Sequence, residues 1–307
     1  MYISDRVSRI SDIARILSDT NHNLSDTNHP SSQVHQPSYK PTKKFQSPLF
    51  VRTSKPYQPS NRLIETIQKW GDSMFSADGM QTFELFSGTH LVTLFIFMVL
   101  TFLLIALREK LGPYQSIIKW TFFSILVASE VSHQIWLVAT NQWEIGSLPL
   151  HLCSISTFIC IFLFLKPGKK AFYLVYFTGL LPPILSMVTP ELFHDFPHYR
   201  FLKYFLHHAT IAWSVLYFIF YEGYRVPRKA VWTAFLLLNL IAVPIFFINL
   251  LLDTNFFYLA NPTESTTILS YFGSGITYYL TIEVAGIIVF LITYFPMAIW
   301  MKKEKSH

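Results

Sequence analysis

From residue 85 onward, long apolar stretches alternate with short polar ones. Each stretch approaches the ~20 residues that an α-helix needs to cross the hydrocarbon core of a bilayer. They fall at 88–107, 119–140, 148–166, 171–189, 203–222, 231–252 and 276–300. The pattern predicts an all-α, polytopic membrane domain of seven transmembrane helices over 80–307. The second span is interrupted by Glu130 and His133, and the fourth carries Pro182-Pro183, which should kink it and free backbone carbonyls. Neither irregularity is cheap in lipid, so both are expected to face the bundle interior. Gly273-Ser274-Gly275 reads as a turn before the last span.

The first 75 residues follow another pattern. They are rich in Ser, Thr, Asn, Pro and His, with a near-repeat at Ser18-Asp19-Thr20-Asn21-His22 and Ser25-Asp26-Thr27-Asn28-His29. Too little apolar surface is present to offset the entropy of ordering, so a disordered tail is expected. The stretch lacks the apolar centre of a signal peptide. Translation starting at Met74 or Met80 is the other reading of this segment.

Composition agrees with a membrane domain: the 307 residues are 51% hydrophobic and only 14% charged. An ordinary soluble domain carries about 25% charge. The net charge of +6 raises nucleic acid as a partner, but the basic residues after position 85 form short clusters between apolar runs, so no nucleic-acid partner is expected. If seven spans alternate, twelve of the fourteen Lys and Arg after residue 85 fall on one side, with Arg200 and Lys203 on the other. The basic side is expected to be cytoplasmic. That places the amino end outside, the carboxyl end in the cytoplasm and the protein in the cell membrane. Oligomeric state has no sequence signal.

On this topology the intramembrane polar residues gather toward the outer leaflet. His90 opens the first span, His133 and Glu130 lie in the second, His151 and Cys153 start the third, His207 and His208 lie in the fifth, Glu283 is in the seventh, and Asn255 is in the loop before it. Ionisable groups at membrane depth usually serve function. Glu130, His133 and Glu283 are read as polar support. His90, taken alone, suits an interfacial or hydrogen-bonded role as well as a chemical one.

Two cysteines are present, Cys153 and Cys160. Seven residues apart on one helix, they stand roughly 10 Å from each other, beyond the ~7 Å limit for a disulfide. Cys160 reads as a small packing residue. Cys153 is the sharper candidate, because a thiol beside a base becomes a nucleophile. His151 is the nearest base in sequence, but positions i and i+2 of a helix point about 200° apart, unless Pro149 distorts the first turn. His207 and His208 start from the same side of the membrane and project about 100° apart, so at most one faces Cys153. The histidines lack the spacing of a zinc site, and no Gly-rich phosphate loop or nucleophile elbow occurs, so no metal or cofactor is expected.

Several segments resemble a known family: Leu148-Pro149-Leu150-His151-Leu152-Cys153-Ser154, Gly88-Thr89-His90-Leu91, Phe205-Leu206-His207-His208 after Thr189-Pro190, and Asp253-Thr254-Asn255-Phe256-Phe257-Tyr258-Leu259. They resemble the YwaF-like bacterial integral membrane proteins, similar in turn to the eukaryotic transmembrane protein 164 acyltransferase group, over about residues 80–300. The resemblance implies a lipid enzyme that moves a fatty acyl chain from a phospholipid to a lysophospholipid through an acyl-cysteine. It implies Cys153 as nucleophile and a histidine of the 207–208 pair as base. His208 is favoured because His208-Ala209-Thr210 looks closer to the motif of distantly similar membrane hydrolases. His151, His90 and Asn255 are candidates for substrate or oxyanion contact. Hydrolysis is the variant in which water is the acceptor. Two other classes stay open: a transporter or binding protein with an outward-facing His/Glu site, and a non-catalytic membrane scaffold.

Overall fold

The computed structural model describes residues 71, 73–77, 81–259, 271–304 and 306. The chain divides into two units, Met1–Tyr57 and Gln58–His307, and every described residue belongs to the second. The expected tail up to residue 70, with its near-repeat, and Met80 lie outside the described residues.

The helices are α1 (Gly88–Ala106), a short α2 (Arg108–Leu111), α3 (Gln115–Ala139), α4 (Leu152–Leu165), α5 (Lys169–Gly179), α6 (Leu181–Val188), α7 (Tyr199–Phe220), α8 (Lys229–Leu252) and α9 (Gly275–Glu304). Among the described residues no strand forms; one isolated bridge joins Thr82 to His194. Six stretches are long and apolar enough to cross a membrane: α1, Arg108–Ala139, Ile145–Leu165, Lys169–Val188, α8 and α9. The seventh expected span, 203–222, coincides with α7 but is not among those six. At 22 residues α7 is long enough to cross. Arg200, Lys203, His207 and His208 lower its apolarity.

The position of α7 explains how those residues are tolerated. It packs against α1, α3, α4, α5 and α6, while α1 leaves Leu91, Val92, Phe95, Ile96 and Phe102 exposed, as a lipid-facing helix does. Polar side chains on α7 are therefore held by protein rather than by hydrocarbon. The buried small residues Ala209, Thr210, Ala212 and Ser214 let its neighbours approach closely. At its other end, Arg225 beyond α7 pairs with Glu304 at 2.6 Å and lies 4.1 Å from the Trp300 ring, fastening the end of α9 to the bundle.

Two boundaries differ from expectation for physical reasons. The fourth span is two helices, broken at Leu180 rather than bent at the prolines. Pro182 and Pro183 sit in the first turn of α6, where a missing N–H has no intrahelical partner to lose. The fifth helix starts at Tyr199, so Arg200 and Lys203, expected in a loop, lie in its first turns.

Gly179 ends α5 where it meets α7. A Cβ built there would lie 2.9 Å from Val175 Cγ2, 3.1 Å from Ile211 Cγ2 and 3.2 Å from Val215 Cγ2. Gly179→Leu should therefore force the two helices apart and destabilise the fold by about 1–3 kcal/mol. Detergent-solubilised thermal unfolding checks this; an unchanged midpoint would show that the contact yields freely.

Buried apolar residues form two clusters. One includes Leu126, Cys160, Phe164, Phe177 and Phe218, with Cys153 packed against it. The other includes Met187, Phe201 and Phe205, with Tyr204 packed against it. Trp213 packs against both clusters.

Candidate functional site

The segment before α4 is irregular because Pro149 cannot donate a backbone hydrogen bond. His151 caps α4 with extended backbone (φ −70°, ψ 157°), which makes Cys153 the second residue of the helix. The helical 200° separation expected between His151 and Cys153 does not apply, since His151 stands outside the helix. Its ring instead packs against Phe256, 5.3 Å between centroids, and Tyr258, 6.1 Å.

Of the two adjacent histidines on α7, His208 faces the thiol: its Nε2 lies 3.2 Å from Cys153 Sγ. The other nitrogen, Nδ1, is 2.8 Å from the Tyr204 carbonyl oxygen. A carbonyl can only accept, so Nδ1 carries the proton and donates. In the neutral ring Nε2 is then a lone pair aimed at the S–H group. The Tyr204 ring packs against the imidazole, centroids 4.2 Å apart. Cys153 keeps some accessible surface, while Cys160 is fully buried.

His207 points elsewhere. Its Nε2 lies 2.7 Å from Thr157 Oγ1 and 3.6 Å from Glu130 Oε1. Glu130 is buried, and its Oε1 has no hydrogen-bond partner among the described residues. His133, one turn along α3 from Glu130, lies 3.0 Å from Arg200 Nη1. Lys203 is within electrostatic range of Cys153, Glu130 and Arg200.

The remaining candidates separate. His90 is buried, its Nδ1 accepting from the Phe86 N–H and its Nε2 lying 2.8 Å from the Met187 carbonyl. Both nitrogens are thus committed to the backbone, and the ring fastens α1 to α6. Glu283 is exposed and meets Asn239 Nδ2 at 3.4 Å. Neither residue shows a contact with Cys153, His207 or His208 among the described residues. Asn255 caps the 3-10 turn Phe256–Tyr258, its carbonyl accepting from the Tyr258 N–H.

That turn forms one wall of the site. Phe256 is fully buried, and Tyr258 donates a hydrogen bond to Glu191. Burial and Glu191 raise the Tyr258 phenol, which therefore stays a donor. Phe257 and Tyr258 adopt φ of 59° and 53°, left-handed values that side chains rarely tolerate. Asn249 holds this backbone: its side chain donates to the Phe256 carbonyl and accepts from the Phe256 N–H and the Thr254 hydroxyl, all within 3.0 Å. Asn249→Ala should release the turn, since each orphaned buried group costs about 1–3 kcal/mol. Faster proteolysis or hydrogen exchange across 253–259 is the expected result; unchanged protection would mean that packing of Phe256 alone holds it.

Across the site, Trp136, His198 and His194 hydrogen-bond to the carbonyls of Phe75, Ser76 and Ala77. Burial lowers both His194 and His198, keeping them neutral donors to those carbonyls. The chain before α1 is thus tied to α3 and to the loop leading into α7.

Thr157, Tyr204, Arg200, Lys203, Tyr258 and Glu191 were missing from the sequence-derived set. A signal for two of them exists: Arg200 and Lys203 stand at i and i+3 of the helix face that carries His207 at i+7. Among the described residues, no group of three or more His, Cys, Asp or Glu stands close enough to hold a metal ion.

Fold and site together define a multi-pass helical membrane protein with a thiol–imidazole pair set inside its bundle. The model of the TMEM164 family matches residues 85–294, about two thirds of the sequence, and the chain belongs to that family. The match spans α1 to α8 and most of α9, with both members of the pair inside it. Neither curated proteins nor solved structures give a match.

Proposed function

We propose that this protein is a lipid acyltransferase that works through an acyl-cysteine on Cys153, with membrane phospholipid as donor and lysophospholipid as acceptor. The observation that carries the reading is the 3.2 Å approach of His208 Nε2 to Cys153 Sγ, in the tautomer that can take the thiol proton. His208 Nε2 accepts that proton, and the sulfur attacks an ester carbonyl. Negative charge on the sulfur is favoured by the amino-terminal end of α4. The tetrahedral intermediate collapses with loss of the lysolipid alkoxide, which takes the proton back from His208. A lysolipid hydroxyl then gives its proton to His208 and attacks the thioester, and the departing Cys153 sulfur takes that proton from His208, which restores the thiol and the neutral imidazole. Two moderate barriers replace one high one.

The proposed setting is the cell membrane, with α7 as a seventh crossing, the amino end outside and the carboxyl end in the cytoplasm. The site then opens toward the outer leaflet. His151 and the backbone amides at the start of α4 are the candidate donors to the oxyanion. Water as acceptor would make the same site a lipase.

Purified protein in nanodiscs, given a phospholipid with an isotope-labelled acyl chain and a lysophospholipid acceptor, should yield labelled diacyl product by mass spectrometry. Labelled free fatty acid in place of that product would assign hydrolysis. Turnover of neither kind, across donors of several headgroups, would contradict the reading and favour solute binding or transport by the His/Glu cluster.

A further inference from the structure

Arg200 and Lys203 project from neighbouring turns of α7 toward the same region, and no carboxylate among the described residues lies within ion-pair distance of either. The nearby carboxylates have other partners: Glu191 takes the Tyr258 hydroxyl, Asp195 takes Thr89, and Glu130 faces His207. Arg200 rests on the Trp136 ring, 5.3 Å from guanidinium to centroid, and uses Nη1 on His133. Its remaining N–H groups have no side-chain acceptor among the described residues. Lys203 is enclosed by protein on most sides yet retains accessible surface, and its ammonium has no hydrogen-bond partner among the described residues.

Two cations one helical turn apart in the bundle, with no carboxylate at ion-pair distance among the described residues, are costly unless an anion joins them. They also stand on the helix that brings His208 Nε2 to 3.2 Å from the Cys153 thiol, in the turns that precede it. Guanidinium and ammonium groups are the side chains that hold phosphate oxygens, the first by a planar fork and the second as a point charge.

We infer that Arg200 and Lys203 form a phosphate-binding subsite that takes the phosphodiester of a glycerophospholipid and so sets its ester carbonyl against Cys153. This rests on the acyl-transfer reading for its second half only. The anion site itself stands on the unpaired cations. Glu130, beside Lys203, rejects a second negative charge deeper in the bundle, so a single phosphate at the rim is the favoured occupant.

The test separates binding from chemistry by using a diether phosphatidylcholine, which has the phosphodiester but no ester to cleave. Native mass spectrometry of detergent-released protein should show this lipid bound to wild type and to Cys153→Ala alike. Arg200→Gln and Lys203→Met should each weaken it at least tenfold, while Lys203→Arg retains it. A diether glycerol without phosphate should bind equally weakly to all forms. Competition by millimolar inorganic phosphate would keep the anion subsite but assign it to a soluble phosphate; its absence assigns the subsite to lipid. Equal binding of the diether phospholipid to wild type, Arg200→Gln and Lys203→Met, with all three showing the same melting temperature, would overturn the inference. Binding that depends on the two cations, in a protein that never acylates Cys153, would instead sink the acyl-transfer reading and leave the subsite standing.

Discussion

Cys153→Ala is expected to lower acyl transfer by at least about a thousandfold while leaving the protein folded, because it removes the only atom proposed to hold the acyl chain. Stability should change little. The thiol is at the start of α4, partly accessible, and alanine suits a helix at that position. Cys160→Ala provides the contrast: that side chain is fully buried in the larger core cluster, so its loss should affect melting temperature and not turnover. Phospholipid turnover and thermal unfolding measured on both variants check the pair of outcomes. A Cys153→Ala protein that retains turnover would end the account.

The second large effect is expected at His208. Glutamine there can still donate to the Tyr204 carbonyl, yet it offers no basic lone pair to the thiol. His208→Gln should therefore slow acylation by about 10²–10⁴-fold, the usual contribution of a general base. Alkylation of Cys153 by iodoacetamide should slow in the same variant, which a purely structural role would not cause. His207→Gln should cost less, because its ring meets Thr157 and Glu130 rather than the sulfur. Rates for the two variants decide between the histidines. A greater loss at position 207 would reverse the assignment.

Much of the helical layout was legible from apolar length alone, since a bilayer sets the scale of each stretch. α1, α8 and α9 start and end within a few residues of expectation because lipid surrounds most of each helix and little else constrains them. α7 was harder to place. Its charged first turns read as loop because bulk apolarity averages over all faces, whereas the protein neighbours of Arg200 and Lys203 become visible only when five other helices surround α7. The break at Leu180 had a similar cause. Pro182-Pro183 signalled an irregularity, but a proline pair fits the start of a new helix better than the middle of a bent one.

The site divides along the same line. That Cys153 needed a histidine from another helix followed from thiol chemistry, and the 100° between positions 207 and 208 meant that only one would face it. Which one depends on the rotation of α7 about its axis, and buried packing along that helix sets the rotation. Tyr258 and Glu191 belong to distant segments and meet across a turn of positive-φ backbone that Asn249 hydrogen-bonds. No local spacing announces such a pairing. Depth points to Glu283, and depth together with the Gly88-Thr89-His90-Leu91 segment points to His90; depth gives the level in the membrane but not the direction around the bundle.

The central claim is the acyl-cysteine, and its capture tests it most directly. Wild-type protein and Cys153→Ser are incubated in lipid with an alkyne-tagged phospholipid, and the label is challenged with neutral hydroxylamine. Hydroxylamine-labile label on wild type that is absent from Cys153→Ser is the expected result. Intact wild-type protein that takes up no such label from any of several donor phospholipids would contradict the claim.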